Sequence, residues 1–331
     1  MRIAVAMTTC NGARHLGRQL ESLAAQERVP DVLVVSDDAS EDGTLDILER
    51  FARDAPFPVE VIVNITRQGF ARNVSAALAR AATLAEVVAP CDHDDVWPAG
   101  KLAAIEDAFR TRPAAALWFS DAELMDENEL DTGVLLSELV SLDAAALAHL
   151  EAGGGVRRLL HGGTISNGTM AVRSEVVELA LPVPEDREGA YPYFFADAWL
   201  AIIARLLGEI VADPRPLLRY RRHAGQMSEG PAAEDLEGRD RADRVRRHLA
   251  RITLVLSRVR EHPDAGWNPA RVEELEALEA FLTARAMPRG AGGRLRAVFG
   301  QARIGAYARF AGGMRTLASD LLPSRVTSPR R

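Results

Sequence analysis

The chain has 331 residues, of which 47% are hydrophobic and 26% are charged, and its net charge is −7 at pH 7. This composition is sufficient for a folded core, and the acidic balance argues against a general nucleic-acid-binding protein. The chain has two cysteines, Cys10 and Cys91, which are too few for a disulfide scaffold or a zinc cluster.

The opening residues, MRIAVAM, form too short an apolar run for a signal peptide. No segment approaches the roughly 18 uninterrupted apolar residues of a membrane span. We therefore predict a cytoplasmic protein.

Short apolar runs alternate with amphipathic segments through the first hundred residues. The predicted strands are RIAVAMTT, DVLVVSDD, VEVIVN and EVVAPC, and the predicted helices between them are ARHLGRQLESLAAQ, EDGTLDILERFARD and GFARNVSAALARAA. The strands are apolar throughout rather than alternating, which is typical of parallel strands buried on both faces. We predict an α/β fold, Rossmann-like, with a mostly parallel sheet and flanking helices.

The second half of the chain is less regular. After Lys101 the pattern predicts a helix, two short strands in AAALWFSDAELMD, a flexible loop at EAGGGVRR, and a strand leading into a helix in GTISNGTMAVRSEVVELALP. A helix in FFADAWLAIIARLLG and a strand in IVADPRPLLRYRRH follow. From about Asp235 the pattern is helical and rich in arginine. We predict a domain over residues 1–228 and a helical C-terminal extension over residues 229–331.

Three carboxylates, those of Asp92, Asp94 and Asp95, follow the fourth predicted strand directly. Like charges at this spacing repel, so the cluster requires either a well-hydrated turn or a bound cation. Asp92 and Asp94 are two positions apart and would face the same way in an extended segment, an arrangement that suits Mg²⁺ or Mn²⁺. A solvated acidic turn is the alternative, and the Trp97-Pro98 pair behind the cluster favours the metal.

Other polar residues fall at the same predicted edge of the sheet, where ligands of open α/β sheets bind. Asp38 would accept hydrogen bonds from a base or ribose, or would cap the next helix. Arg67 and Arg72 would contact pyrophosphate, although each pattern taken alone favours a solvated arginine.

Asp197 and Trp199 lie in an unusually aromatic run, YPYFFADAWL. Asp197 would act as a general base beside an aromatic platform, whereas spacing alone favours an ordinary N-terminal aspartate of a helix with core aromatics. The segment RYRRH would neutralise phosphate or cap a strand edge. Within it, Arg222 and His223 are candidates for phosphate or acceptor contacts, and His223 is a weaker candidate for a metal ligand.

Four blocks together, VAMTTCNGARHLGRQLESLAAQ, VVSDDASEDGTLDIL, GFARNVSAAL and CDHDDVWPAGKL, resemble the inverting family 2 glycosyltransferases of the GT-A fold. The resemblance covers roughly residues 2–228 and is strongest to bacterial rhamnosyltransferase-type enzymes of polysaccharide assembly in the cell envelope. Those enzymes typically carry His-Asp-Trp-Trp and Tyr-Arg-x-His stretches. Here the first reads Ala196-Asp197-Ala198-Trp199, which departs at two positions, and the second reads Tyr220-Arg221-Arg222-His223.

The resemblance implies a role for each matching residue. Thr8 and Cys10 would lie against the nucleotide base, Asp38 would bond the base, and Arg72 would approach the nucleotide. The Asp-x-Asp motif falls on Asp92 and Asp94, which would hold the ribose and a divalent cation on the diphosphate. Asp197 would be the catalytic base. The implied donor is a dTDP- or UDP-sugar, rhamnose being one candidate, and the implied acceptor is a glycan or a lipid-linked molecule.

Three other functions share part of this pattern. A nucleotidyltransferase usually carries a glycine-rich basic loop after the first strand, which TTCNGARH matches poorly. A response-regulator receiver is about half this length and needs an aspartate where Asn64 stands. A non-catalytic sugar-nucleotide-binding protein stays open, because Asp197 is the weakest assignment.

The last part of the chain is strongly basic. From Arg285 to Arg331 there are ten arginines and one acid, Asp320, and the arginines alternate with leucine, phenylalanine and isoleucine. Basic amphipathic helices bind anionic membranes, so peripheral membrane contact at the inner face of the cell membrane is one hypothesis. Helices that pack on the catalytic domain with their arginines in water are the alternative.

Overall fold

The computed structural model describes residues 1–185, 195–224, 226, 241–286, 291–303 and 305–310. The chain divides into two compact units. The first comprises Met1–Glu234 and Arg258–Asn268, and the second comprises Asp235–Ser257 and Pro269–Arg331.

From β1 to α4 the first unit alternates strands and helices in the order predicted. Its strands are β1 (Ile3–Thr9), β2 (Val32–Asp37), β3 (Val59–Val63), β4 (Val87–Asp92), β5 (Ala115–Met125), β6 (Asp131–Leu135), β7 (Met170–Arg173) and β8 (Glu209–Arg221). Its helices are α1 (Ala13–Ala24), α2 (Thr44–Asp54), α3 (Phe70–Ala82), α4 (Lys101–Thr111), α5 (Leu136–Leu139), α6 (Ala144–Glu151), α7 (Val156–His161), α8 (Ser174–Ala180) and α9 (Ala196–Leu207).

Within the described residues these strands form one eight-stranded sheet in the order β3-β2-β1-β4-β7-β5-β6, and β8 pairs with β5. The pairs among β3, β2, β1 and β4 are parallel, as is β5 with β8. Strands β6 and β7 pair antiparallel with their neighbours. The predicted α/β fold with a mostly parallel sheet is therefore confirmed.

Burial explains why the predicted strands carry no polar alternation. Every residue of β1 and β2 is buried, because helices cover both faces of the parallel part of the sheet. Helix α1 packs through Leu16, Leu20 and Leu23, which recur at helical spacing on one side.

Register then places the ends of the strands side by side. Thr8 of β1 pairs with Ser36 of β2 and with Asp92 of β4. The polar residues that follow these three strands consequently share one edge of the sheet.

The structure corrects the prediction in the middle of the chain. AALWFSDAELM forms one long strand, β5, rather than two short ones, because β7 and β6 pair in succession along it while β8 pairs along most of its length. Strand β6 and helices α5, α6 and α7 were not predicted. Their sequences are short and weakly periodic, so their conformation depends on tertiary contacts.

The second unit is helical in its described part. It contains most of α10 (Arg241–Glu261), together with α11 (Pro269–Ala286), α12 (Ala291–Arg303) and α13 (Ala306–Phe310). Phe281 packs edge-to-face on Tyr307 with ring centroids 5.1 Å apart, and Thr253 donates a hydrogen bond to Glu279 (2.9 Å).

Across the described ranges, no helix is both long enough and apolar enough to cross a membrane. Residues 287–290 and 311–331, which hold much of the predicted basic tail, lie outside the described residues.

Candidate active site

Two glycines bring backbone and carboxylates together at the polar edge of the sheet. Gly69 precedes α3 with φ of 87°, a conformation that favours glycine, and its N–H donates to Asp38 Oδ2 (2.9 Å). Gly168 lies so close to its surroundings that an added Cβ would be 2.9 Å from Asp95 Oδ2. A side chain at position 168 would therefore displace the carboxylates that follow β4.

The two aspartates after β2 are engaged by donors of the protein itself. Asp37 accepts hydrogen bonds from Thr9 Oγ1 (2.7 Å) and from the N–H and hydroxyl of Ser40 (2.9 and 2.6 Å). Asp38 accepts from the N–H groups of Gln68 (2.7 Å) and Gly69. These carboxylates hold the loops before α2 and α3. This structural role is closer to helix capping than to base binding.

The predicted nucleotide contacts on this side fall into two groups. Cys10 is half-buried, and its thiol donates to the carbonyl of Asp38 (3.5 Å), so it lies beside Thr8 and Asp38 at the sheet edge. Arg72 instead forms an exposed two-bond ion pair with Glu185 (2.8 and 3.3 Å). Arg72 is thus near the predicted site in sequence but is bound to a surface carboxylate.

The carboxylates after β4 have a different environment. Burial, followed by the charges of Asp94 and Asp197, raises the pKa of Asp92 to about 7, although the N–H of Gly168 donates to it. Strand β4 ends at Asp92 and a turn follows, so the extended geometry predicted for Asp92 and Asp94 is not found.

Asp94 is paired with the residue that the sequence analysis ranked low as a metal ligand. The distance between Asp94 Oδ2 and His223 Nε2 is 2.9 Å. The ring of His15, from α1, lies 5.1 Å from that of His223, and His93 Nδ1 is 3.2 Å from the carbonyl oxygen of Thr8. Residues from β1, α1, the loop after β4 and the end of β8 therefore converge here.

This pair fits one edge of a cation's coordination sphere. Adjacent ligands of an octahedral Mg²⁺ ion, each about 2.1 Å from the metal, are about 3 Å apart. In this structure the Asp94 oxygen and the His223 nitrogen form a hydrogen bond or ion pair at 2.9 Å, a spacing that would also suit two adjacent ligands of a cation. In the part of the chain that the structure describes, no group of three or more His, Cys, Asp or Glu side chains is arranged to hold a metal. An ion here would need further ligands from water or from phosphate oxygens.

Beneath the site lies a buried charged layer that sequence reasoning missed. Asp95 is 1% exposed, and burial followed by the charges of Asp94 and Asp92 raises its pKa. Lys101 is fully buried, donates to the carbonyl of Gly168, and lies 4.5 Å from the ring centre of Trp97. Burial lowers the pKa of Lys101 to about 7. CDHDDVWPAGK contains both residues, but only the fold shows that they turn inward.

Asp197 lies in the first turn of α9, as predicted, with its carboxylate accepting the N–H of Ala198 (2.6 Å). Burial raises the pKa of Asp197 to about 6. Its charge in turn raises the pKa of Asp92. A carboxylate in this state is ionised at neutral pH and has a higher proton affinity than an exposed aspartate.

The remaining predicted contacts are placed less favourably. Trp199 is 1% exposed, and its indole N–H donates to the carbonyl of Ala180 (2.6 Å). Its ring therefore has no exposed surface on which an acceptor substrate could stack. The core interpretation of this aromatic residue therefore fits its position. Arg222 is half-buried, and its backbone N–H donates to the carbonyl of Met125 (2.9 Å).

Two comparisons concern the sequence. Residues 4–131 match the family model described as Glycosyl transferase family 2. An uncharacterized glycosyltransferase of Nostoc sp. is 28% identical over 251 residues, covering 73% of this chain and 72% of the relative.

Solved structures show the same fold. S. aureus TarS 1–349 in complex with UDP-GlcNAc matches with a TM-score of 0.56 and 16% identity, covering 97% of this chain and 89% of that chain. The mannosyltransferase PcManGT from Pyrobaculum calidifontis, in complex with GDP-Man and Mn²⁺, matches with a TM-score of 0.51 and 18% identity, covering 97% and 84%.

The fold and the matched domain define a glycosyltransferase with a GT-A-like fold. The segment that matches the family 2 model, residues 4–131, includes nearly all of β1 to β5 and the carboxylates at the ends of β2 and β4.

Proposed function

We propose that the protein is a metal-dependent inverting glycosyltransferase that moves a sugar from a nucleoside diphosphate donor to an acceptor hydroxyl. One observation carries this proposal: the carboxylate of Asp94, after β4, and the imidazole of His223, after β8, lie 2.9 Å apart at the polar edge of the sheet. The fold relatives support the donor class, since one is bound to UDP-GlcNAc and another to GDP-Man with Mn²⁺.

The residues would divide the chemistry between them. Asp197 would accept the proton of the acceptor hydroxyl, whose oxygen would attack the anomeric carbon of the donor from the face opposite the diphosphate. The bond from that carbon to the diphosphate oxygen would break, and the nucleoside diphosphate would leave. A single displacement of this kind inverts the anomeric configuration.

Asp94 and His223 would hold the divalent cation, Mg²⁺ or Mn²⁺, with Asp92 beside them. A bound cation supplies stabilisation of the negative charge that develops on the diphosphate. Thr8 and Cys10 would lie beside the nucleotide, next to the backbone that Asp38 holds in place. Asp92 would bond the ribose, which is the role that the family resemblance implies.

Nucleotide binding tests the donor class and the metal together. We expect UDP, dTDP or GDP to raise the unfolding temperature of the protein only when Mn²⁺ is present, because ligands that bind the native state stabilise it. Asp94→Asn should lose this shift, and the exposed Asp107→Asn should keep it. The metal role would be contradicted if the nucleotide raised the unfolding temperature equally with and without Mn²⁺ and equally in wild type and Asp94→Asn.

Within this function we propose rhamnose as one candidate sugar and a glycan or lipid-linked molecule of the cell envelope as the acceptor. The support is the sequence resemblance alone, so dTDP-rhamnose, UDP-GlcNAc and GDP-mannose should be compared as donors by release of the nucleoside diphosphate. Release of nucleotide without any sugar transfer to candidate acceptors would leave the acceptor class unsupported.

We also propose peripheral contact with the cytoplasmic face of an anionic membrane. The described face of α12 supports it, because Arg296 and Arg303 are exposed on either side of Phe299, which is 54% exposed. We expect Arg296→Glu/Arg303→Glu to reduce flotation of the full chain with phosphatidylserine vesicles but not with phosphatidylcholine vesicles. Equal recovery of both proteins with both vesicles would exclude this contact.

A further inference from the structure

Arg221, the last residue of β8, is a buried cation that neither the predicted site nor the proposed chemistry uses. It is 2% exposed, although guanidinium groups are almost always solvated. A buried charge of this kind persists only where its N–H groups meet acceptors.

The acceptors of Arg221 belong to two segments that are distant in sequence. Its Nε donates to the carbonyl of Asp94 (2.7 Å), and its backbone N–H donates to Asp95 Oδ1 (2.9 Å). Its two terminal nitrogens donate to the carbonyl of Glu127 (3.3 Å) and to Glu129 Oε1 (3.1 Å). One residue thus joins the loop after β4 and the turn between β5 and β6 to the end of β8.

We propose that Arg221 is a positioning residue that sets the distance between Asp94 and His223. The inference rests on the proposed function, since it concerns the cation site of that function. Arg221 binds the backbone of Asp94 and precedes His223 by two residues, so it fixes both members of the pair without touching their donor atoms. Residues that orient metal ligands in this way are worth about 10- to 100-fold in metal affinity.

Arg219 supplies a matched control on the same strand. Its side chain binds the same turn, through the carbonyl of Glu129 (2.9 Å) and Asp131 Oδ1 (2.5 Å). In the described part of the chain its side-chain hydrogen bonds do not extend to the loop after β4. Arg219 therefore shares the anchorage of Arg221 to the turn but lacks its bond to Asp94.

The experiment measures Mn²⁺ binding to the full chain by titration calorimetry, without nucleotide, for wild type, Arg221→Lys, Arg221→Gln and Arg219→Gln. We expect Arg221→Lys to weaken Mn²⁺ binding about tenfold or more. Arg219→Gln should change it less than twofold. Glu129→Gln, which removes the negative charge of one partner of Arg221 at a half-exposed position, should weaken binding in the same direction even if the Arg221 variants do not fold.

A double-mutant cycle separates positioning from general destabilisation. If Arg221 acts through His223, then Arg221→Lys should add little to the loss already caused by His223→Gln. Additive losses, or wild-type Mn²⁺ affinity in folded Arg221→Lys, would overturn the positioning role alone. Failure of the wild-type protein to bind Mn²⁺ would overturn the cation site, and the positioning role with it.

Discussion

Two pairs of aspartates lie at strand ends on the same edge of this sheet, and their surroundings are opposite. Asp37 and Asp38, after β2, accept hydrogen bonds from backbone and hydroxyl groups of the neighbouring loops. Asp92 and Asp94, after β4, lie against other carboxylates and against His223. The first pair is held by hydrogen bonds from the neighbouring loops, whereas the second combines an imidazole partner, at Asp94, with repulsion between carboxylates.

The difference teaches that carboxylates at strand ends are not equivalent signals of binding. An aspartate whose oxygens already accept two backbone N–H groups stabilises the loops that shape a site. An ionised aspartate that faces like charges is energetically unfavourable without a cation. Such an aspartate therefore retains affinity for a cation. Four predictions follow, from the largest expected effect to the smallest, and the third tests this division directly.

Asp197→Asn should lower the rate of sugar transfer by about 10²- to 10⁴-fold, the range that a general base contributes. The amide is close in shape to the carboxylate but cannot accept the acceptor's proton. Donor binding, measured by calorimetry with Mn²⁺, should stay within about twofold of wild type. Transfer at the wild-type rate would remove Asp197 from the mechanism and would favour a non-catalytic role for it.

The pH dependence of transfer should show the burial of Asp197. Burial raises its pKa to about 6, so the ionised form that acts as base predominates above pH 6 and is lost as the pH falls through that value. We expect kcat/KM to decline about tenfold per pH unit below pH 6, whereas an exposed aspartate, with a pKa of about 3.9, would keep activity to about pH 4. The measurement is a pH profile at saturating Mn²⁺. A flat profile down to pH 4.5 would contradict the assignment.

Asp38→Ala should affect stability rather than metal binding. The N–H groups of Gln68 and Gly69 would lose their acceptor, and each buried donor left without a partner costs about 1 to 3 kcal/mol. We expect the free energy of unfolding in urea to fall by that order, with Mn²⁺ affinity unchanged. The matched variant Asp94→Asn should show the reverse. If both variants lost Mn²⁺ affinity equally, the division between the two pairs would be wrong.

Arg72→Ala should have the smallest effect. The Arg72–Glu185 ion pair is exposed, and exposed ion pairs contribute little to stability. We expect no measurable change in the unfolding midpoint. The affinity for the nucleoside diphosphate is the informative readout, since a loss of tenfold or more would show that Arg72 leaves Glu185 to bind the donor.

The sequence was sufficient to predict the parallel half of the sheet and the edge at which its polar residues lie. Continuous apolar runs such as VLVV can be buried on both faces only as inner strands, so their polar ends must meet at one edge. The long strand β5 and the short elements after it could not be predicted in the same way. Their conformation depends on β7, β6 and β8, which pair with β5 from distant parts of the chain.

For the site, the sequence by itself determined which residue types lie at the strand ends, because local patterning fixes where a strand stops. Only the tertiary structure decided which of those carboxylates accept hydrogen bonds from neighbouring loops and which face other carboxylates. His223 is 129 positions from Asp94, and Arg221 is 127. Contacts at that separation depend on how β8 lies beside β5, and local spacing along the chain does not encode that packing.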